Sequence, residues 1–169
     1  EVQGGYLRPE EGRTDWHEPL NQNFTLIDSD VAAVAESIYF DGKRISLSDF
    51  GDIQSAIDEL SERDILEIDT DMTVSVRGQI STDGVKIEGA GGKLTLEEGA
   101  NESTILYPKD VSNVWIDGVQ MDGNRGTGTS TSGAGVGSLD MGNIRNLRVT
   151  NCVIENFYGN GIMLNNRDL

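Results

Sequence analysis

Two stretches of the sequence decide the fold: SNVWIDGVQMDG at residues 112–123 and RNLRVTNCVIEN at residues 145–156. In both, an asparagine precedes a first pair of apolar residues, and a two-residue bend separates that pair from a second one. The apolar positions recur at an offset of 33, in the pairs Val114 and Leu147, Ile116 and Val149, Val119 and Cys152, and Met121 and Ile154. A whole local pattern is therefore repeated.

Similar apolar doublets occur along the chain from residue 66 onward, with the period of a strand that buries one face. The further doublets are Leu66/Ile68, Val74/Val76, Val85/Ile87 and Leu94/Leu96. Turn formers such as Asp-Gly at 83–84 and 117–118 separate them. Short strands repeated at about 20–35 residues predict a β-solenoid, whose parallel strands stack about 4.8 Å apart.

The alternative is an antiparallel β-sandwich, in which turns are also closely spaced. The repetition of a complete pattern favours the solenoid, because a sandwich has no reason to show it. The glycine- and threonine-rich insert 124–140 is predicted to be a surface loop leaving one corner, and residues 161–169 are predicted to contain another strand. The chain is expected to continue beyond residue 169.

Two short helices are predicted before the strands. Residues 31–38 have apolar positions at helical spacing, and this two-turn helix is expected to pack against a partner. In residues 52–62, Ile53, Ala56, Ile57 and Leu60 form one apolar face behind the N-cap candidate Asp52. We expect this second helix to cap the first coil, because an open solenoid end exposes strand edges.

The charge balance excludes several classes of partner. The sequence has 29 Asp and Glu against 13 Lys and Arg, a formal charge of −16. Nucleic acid is excluded as the main partner, because its binding needs a cationic surface. No apolar run approaches the about 20 residues of a membrane span, so no membrane insertion is expected. The acidic excess fits a halophilic host, since in molar salt the Debye length falls to about 3 Å and carboxylate repulsion is screened.

Carboxylates are numerous enough that glycan cleavage, which needs two carboxyl groups about 5–9 Å apart, must be considered. The side chains that could leave the coil are Asp117, Asp122, Asp140 and Glu155, with Arg125, Arg145 and Arg148 as candidate cations. Asp117 and Asp122 each precede glycine and are interpreted as bend residues. Catalysis within these residues is not expected, and neither is a cofactor.

Metal binding is not expected either. His17, the single histidine, lies beside Pro19 with no second His or Cys ligand nearby, and is interpreted as an interface residue. The Asp-x-Asp pairs at 28–30 and 69–71 do not continue into a twelve-residue calcium loop, so capping and turn roles are favoured.

The repeat also assigns structural roles to three residues. Asn113 and Asn146 occupy the same phase and are predicted to stack as an amide ladder. The lone cysteine, Cys152, occupies the position of Val119 and is interpreted as a small core hydrophobe.

Three motifs carry a first family resemblance: the helical segment DIQSAID at 52–58, EGAG after a strand at 88–91, and NVWIDG at 113–118. With them, residues 46–169 resemble the start of a right-handed parallel β-helix of the pectate-lyase-like superfamily. The resemblance implies a fold, and says little about chemistry.

A second resemblance covers residues 8–28, in which Pro9 is followed by the string G-x-x-x-W-x-x-P-L-N-x-N-F-x-x-I-D at residues 12–28. It is similar to the N-terminal segment of tail-fibre and tail-spike proteins of tailed viruses, which implies a virion-attachment and trimer-interface role. The residues concerned are Trp16, His17, Pro19, Leu20, Asn21, Asn23, Phe24, Ile27 and Asp28. The alternative is an intramolecular lid over the solenoid end.

Together the resemblances imply a virion attachment segment at 1–30, a helical neck and linker at 31–45, and a β-helical shaft at 46–169. The expected protein is a homotrimeric, extracellular tail fibre or spike that binds tail or baseplate proteins and a host surface glycan or glycoprotein. The alternatives are a polysaccharide-degrading lyase or hydrolase whose catalytic coils lie beyond residue 169, and a microbial cell-surface adhesin.

Overall fold

The structure is a computed structural model that describes residues 2–3, 6–7, 39–98, 104–125, 134–138 and 141–164. The chain divides into two units, Glu1–Asp41 and Gly42–Leu169. In the first unit, β1 (Val2–Gln3) pairs antiparallel with β2 (Tyr6–Leu7). The helix predicted at 31–38 lies outside the described residues.

The second unit is mainly β, and its strands form three parallel sheets. The first sheet contains β3 (Arg44–Ser46), β4 (Ile65–Ile68), β7 (Lys86–Gly89), β10 (Trp115–Asp117) and β13 (Arg148–Thr150). The second contains β5 (Met72–Val74), β8 (Lys93–Leu96), β11 (Gln120–Asp122) and β14 (Val153–Glu155). The third contains β6 (Gly78–Ile80), β9 (Thr104–Pro108), β12 (Ala134–Ser138) and β15 (Ile162–Leu164).

From β4 onward, consecutive strands belong to the first, second and third sheet in turn, and the cycle then repeats. We call one pass through the three sheets a circuit. Equivalent residues of successive circuits pair directly: Ile116 in β10 lies between Ile87 in β7 and Val149 in β13. The 33-residue offset seen in the sequence is therefore the length of one circuit, from Ile116 to Val149, and the circuit before it, from Ile87 to Ile116, has 29 residues.

The inward side chains of successive circuits form aliphatic columns. In the first sheet this column contains Leu66, Ile87 and Ile116, which are fully buried. Leu94 and Met121 form its counterpart in the second sheet. Burial of apolar side chains contributes about 25 cal/mol per Å² removed from water, so these columns stabilise the stack.

Every described strand pair of the second unit is parallel. Trp115 pairs with Arg148, as the 33-residue repeat requires. The prediction of stacked parallel strands is confirmed, and the antiparallel sandwich is wrong for this unit.

The helix expected at 52–62 is present as α1 (Ile53–Asp58), and is shorter than expected. Asp52 is its N-cap, as predicted: its carboxylate accepts hydrogen bonds from the Ser55 N–H at 2.8 Å and the Ser55 hydroxyl at 2.7 Å. These bonds lower the pKa of Asp52. The buried face contains Ile53, Ala56 and Ile57.

α1 packs against β6, the outermost strand of the third sheet. Gly78 allows this close approach, because a Cβ there would lie 2.6 Å from Cδ1 of Ile57. The side-chain amide of Gln54 then pairs with the backbone of Gln79, accepting from its N–H at 2.7 Å and donating to its carbonyl at 3.3 Å. Gln54 thus occupies the position that a neighbouring strand would take.

The insert 124–140 is not wholly a loop, which corrects the prediction. Within it β12 pairs with β9 and β15, and Ala134 and Val136 are fully buried. The alternation of small residues with glycine concealed this strand. A second correction concerns Val76, which was assigned to a strand but lies in a turn after β5, 56% exposed.

The turns before the first sheet share one backbone conformation. Arg63, Gly84, Asn113 and Asn146 each lie two residues before a strand, and all have φ between 51° and 76°. Asparagine adopts this left-handed region more readily than most residues. The Asn146 side-chain amide donates to the Asn113 side-chain oxygen at 2.9 Å, so the predicted amide ladder is confirmed.

Candidate functional site

Two columns of mainly polar side chains run along the outer face of the first sheet, one residue per circuit. In each strand, one column takes the residue before the inward aliphatic residue and the other takes the residue after it. Both therefore point outward, because successive side chains of a strand point to opposite faces. The cation column contains Arg44, Ile65, Lys86, Trp115 and Arg148, and the acid column contains Ser46, Glu67, Glu88, Asp117 and Thr150.

Lys86 is the centre of this face. Its side chain is only 3% exposed, yet its ammonium lies 2.8 Å from Oε1 of Glu88 and 3.8 Å from Oδ2 of Asp117. The ring centroid of the Trp115 indole, one circuit further on, lies 4.7 Å from the same nitrogen. Two carboxylates and an aromatic face therefore surround one buried ammonium, an arrangement that offsets the cost of removing the charge from water.

Hydrogen bonds extend this cluster into the next circuit. The Trp115 indole N–H donates to the Thr150 hydroxyl at 2.6 Å, and that hydroxyl donates to Oδ1 of Asp117 at 2.7 Å. The Asn151 amide donates to the same oxygen at 2.9 Å. The guanidinium of Arg148 lies 5.7 Å from the Trp115 ring centroid. The cluster therefore joins β10 to β13 as well as β7 to β10.

Arg44 extends the network in the other direction. It donates to Glu67 at 2.7 Å and also forms an ion pair with Glu88. The hydrogen bond to Glu67 is the largest cause that raises the pKa of Arg44. Glu88 is thus shared between Arg44, through Oε2, and Lys86, through Oε1.

Asp117 was interpreted as a bend residue, and that interpretation is wrong for its side chain. Its carboxylate accepts from Thr150 and Asn151 of the next circuit, whereas the bend conformation belongs to Gly118, with φ of 68°.

Asp122 does have the predicted turn role, because its carboxylate accepts from the Asn124 N–H at 2.9 Å. It also contacts Lys93 at 3.3 Å and accepts from Asn156 at 3.1 Å. Desolvation raises the pKa of Asp122, but the bonds from Asn124, Asn156 and Lys93 outweigh it and lower the pKa overall.

The other catalytic candidates are dispersed. Glu155 and Arg145 are exposed, and Arg125 lies 5.0 Å from the Tyr158 ring centroid, away from the Lys86 cluster. Asp140 lies outside the described residues. The candidates therefore contribute only Asp117 and Arg148 to the face of the first sheet.

The predicted attachment residues, Trp16 to Asp28, including His17, lie outside the described residues, as does the pair at 28–30. In the other pair, Asp69 accepts from the Ser48 N–H at 3.0 Å and Asp71 accepts from the Lys93 N–H at 2.9 Å. These bonds join residues 21 and 22 positions apart, so both side chains bind neighbouring segments, and the predicted local turn roles are wrong for them. Cys152 packs against the hydrophobic core as predicted, and burial is the largest cause that raises the pKa of its thiol.

Sequence reasoning missed Lys86, Glu88 and Trp115, the residues at the centre of the cluster. The repeat contained the signal: Lys86 and Trp115 differ by the same 29 residues as Ile87 and Ile116, and so do Glu88 and Asp117. Extending the offset from the apolar positions to their polar neighbours would have placed these side chains side by side.

Comparison with protein-family models, with curated proteins and with solved structures found no match. Among the residues that the structure describes, no group of three or more His, Cys, Asp or Glu side chains is arranged to hold a metal ion. In the same part of the chain, no helix has the length and apolar character needed to cross a bilayer.

Proposed function

We propose that this chain forms a right-handed parallel β-helical shaft in a virion tail fibre or spike, and that the shaft serves host-surface adhesion. The observation that carries the proposal is the outer face of the first sheet, where side chains of successive circuits are bonded to one another. Such bonds make each circuit depend on its neighbours, as a stiff rod requires.

The detailed contacts favour a structural role for this face. The Asp117 carboxylate accepts from side chains of β13 and its flanking turn, and contacts Lys86 of β7. The Trp115 ring has Lys86 on one neighbouring strand and Arg148 on the other. These groups hold circuits together, and a substrate would have to displace those contacts to reach them.

Attachment and assembly are assigned to the segment 8–28, on its resemblance to tail-fibre and tail-spike proteins. We infer that its apolar stripe, Trp16, Leu20, Phe24 and Ile27, packs against neighbouring subunits in a homotrimer. The proposed partners are tail or baseplate proteins at this end and a host surface glycan or glycoprotein along the shaft. The protein would then be extracellular, as part of the virion tail.

The mass of the native assembly tests the trimer. Sedimentation equilibrium at micromolar concentration in high salt should give three times the chain mass for the natural sequence. A triple variant, Trp16→Ser, Leu20→Ser and Phe24→Ser, should sediment as a monomer, and Val76→Ser, an exposed position in the second unit, should remain trimeric. A natural chain that sediments as a monomer contradicts the proposed assembly.

Binding tests adhesion directly. A labelled trimer should bind an array of microbial surface polysaccharides and glycoproteins, and antibodies against residues 8–28 should mark the tail of intact particles. Labelling of capsids would contradict the tail assignment, and absence of label from particles would contradict the virion assignment.

Polysaccharide cleavage is the second candidate function, favoured by Glu88 and Asp117, which contact the same ammonium on an outward face. It predicts that the full-length protein releases reducing ends or unsaturated sugars from host envelope glycans. The double variant Glu88→Gln, Asp117→Asn should abolish that release while Asp122→Asn retains it. Equal release by both variants would show that Glu88 and Asp117 take no part in cleavage.

A further inference from the structure

We propose that Lys86 and Asp117 condense into an intramolecular amide bond that links β7 to β10, with Glu88 transferring the protons. This inference concerns a covalent modification of the chain and stands independently of the proposed function.

The geometry brings the three groups together. Lys86 and Glu88 are consecutive outward residues of β7, and Asp117 is the direct register partner of Glu88 on β10. The Lys86 Nζ lies 3.8 Å from Oδ2 of Asp117, so the ammonium already contacts the carboxyl group whose Cγ it would attack. Glu88 Oε1 lies 2.8 Å from the same Nζ, within direct proton-transfer distance.

The surroundings favour condensation over a simple ion pair. The Lys86 side chain is 3% exposed, and Trp115 and Ile65 are its neighbours in the cation column. A buried ion pair bears a desolvation cost that a neutral amide does not.

The remaining contacts position the reacting carboxyl and the proton carrier. Thr150 and Asn151 both donate to Oδ1 of Asp117 and leave Oδ2 on the side of the ammonium. Arg44 binds Oε2 of Glu88, so Oε1 remains directed at Lys86. Both carboxyl groups are therefore held, through the oxygen that does not face Lys86, by partners outside the reaction.

The step balances without a co-reactant. Glu88 accepts a proton from the Lys86 ammonium and passes it to the Asp117 carboxylate, which becomes the neutral acid. The Nζ lone pair then forms a bond to Cγ of Asp117. Glu88 moves a second proton from this nitrogen to the hydroxyl group on Cγ, the C–O bond breaks, and water leaves. The products are one secondary amide, one water molecule and Glu88 in its original state.

Intact mass measured on the denatured full-length chain tests the proposal. The natural sequence should be one water molecule lighter than its calculated mass. Digestion with trypsin should yield a branched product that joins 78–93 to 110–125, because the acylated Lys86 is no longer a cleavage site. A natural chain at its calculated mass overturns the proposal.

A matched set of variants separates this bond from an imide at Asp117-Gly118, which also loses water. Lys86→Arg lacks the amine and should show its calculated mass. A Lys86→Arg variant that is still one water lighter overturns the proposal. Asp117→Ala should also show the calculated mass, whereas Asp122→Ala, on the second sheet, should remain one water lighter. Circular dichroism identifies any variant that fails to fold.

The role of Glu88 has its own readout. In freshly synthesised protein, Glu88→Gln should form the branched product at least about 100-fold more slowly than the natural chain, the usual contribution of a positioned acid-base group. Glu155→Gln, an exposed carboxylate on the second sheet, should react at the natural rate. An unchanged rate in Glu88→Gln overturns the proton-transfer role.

Discussion

The first and second sheets have similar inner columns and different outer faces. On the first sheet, Lys86 is buried between carboxylates and an indole, and the network extends over every circuit from β3 to β13. On the second sheet, the equivalent lysine, Lys93, is 39% exposed and forms an ion pair with Asp122. Circuits of the same chain therefore combine one kind of core with two kinds of surface.

The aliphatic columns therefore define the stack, while its outer faces are available for specialised contacts. Exposed ion pairs contribute about 0–1 kcal/mol, so the second face adds little to stability. Breaking the Lys86 cluster costs more, because the Lys86 side chain at its centre is 3% exposed and water cannot replace its partners. Four predictions sharpen this comparison.

The largest effect is expected in the shared core. Ile116→Ala in the first sheet and Met121→Ala in the second each remove a fully buried side chain, and each should lower the free energy of unfolding by about 2–5 kcal/mol. Urea titration followed by circular dichroism measures this loss. A small loss for one of the two would show that the inner columns are not equivalent.

The two lysines should then separate the outer faces. Lys86→Met removes the contacts of Lys86 with Glu88 and Asp117, whether as an ion pair or as the proposed amide, and should destabilise the protein by about 1–3 kcal/mol. Lys93→Met should cost less than about 1 kcal/mol, because the Lys93 side chain is 39% exposed and Asp122 keeps its hydrogen bonds from Asn124 and Asn156. The same urea titration compares them, and equal costs would contradict the contrast between the faces.

Asn113 tests the turn that leads into the first sheet. Asn113→Ala should cost about 1–2 kcal/mol, since alanine is strained at a φ of 59°. Asn113→Gly relieves the strain and removes only the amide contact with Asn146, so it should cost less. A glycine variant as unstable as the alanine variant would assign the whole effect to the amide ladder.

The smallest effect is a dependence on acid. Asp52 and Asp69 have lowered pKa values, chiefly through hydrogen bonds from Ser55 and from Ser46 respectively. A lowered folded pKa contributes stability that is present above the unfolded value of about 3.9 and is lost as the pH falls through the folded value. The urea midpoint should therefore be level from pH 7 to 5 and fall below about pH 4. Asp69→Ala should show a smaller fall than the natural chain.

The first and second sheets could be predicted from the sequence because their strands bury one face. In β10 and β11, Ile116 and Met121 alternate with polar neighbours, and the 33-residue repeat fixed the register that the structure shows. The third sheet was largely missed for two physical reasons. In β9, Ile105, Leu106 and Tyr107 are all buried, so no alternation is visible, and in β12 glycine separates small residues.

The candidate site was predicted only in part because its central residue breaks the usual rule for charge. A lysine on an outward strand position is ordinarily solvated, and only the stacking of Trp115 and Glu88 around Lys86 reveals that it is buried. Asp117 was found but assigned to its turn, since the partners that give its carboxylate another role, Thr150 and Asn151, lie 33 and 34 residues away.

The pairing of Gln54 with the backbone of Gln79 has a consequence for self-association. An outermost strand with unpaired N–H and C=O groups is a template on which another molecule can add its own strand. At Gln79 both groups are already occupied by the side chain of Gln54. The side-chain amide of Gln54 therefore blocks strand addition at this edge of the third sheet. No further strand is needed to prevent end-to-end polymerisation there.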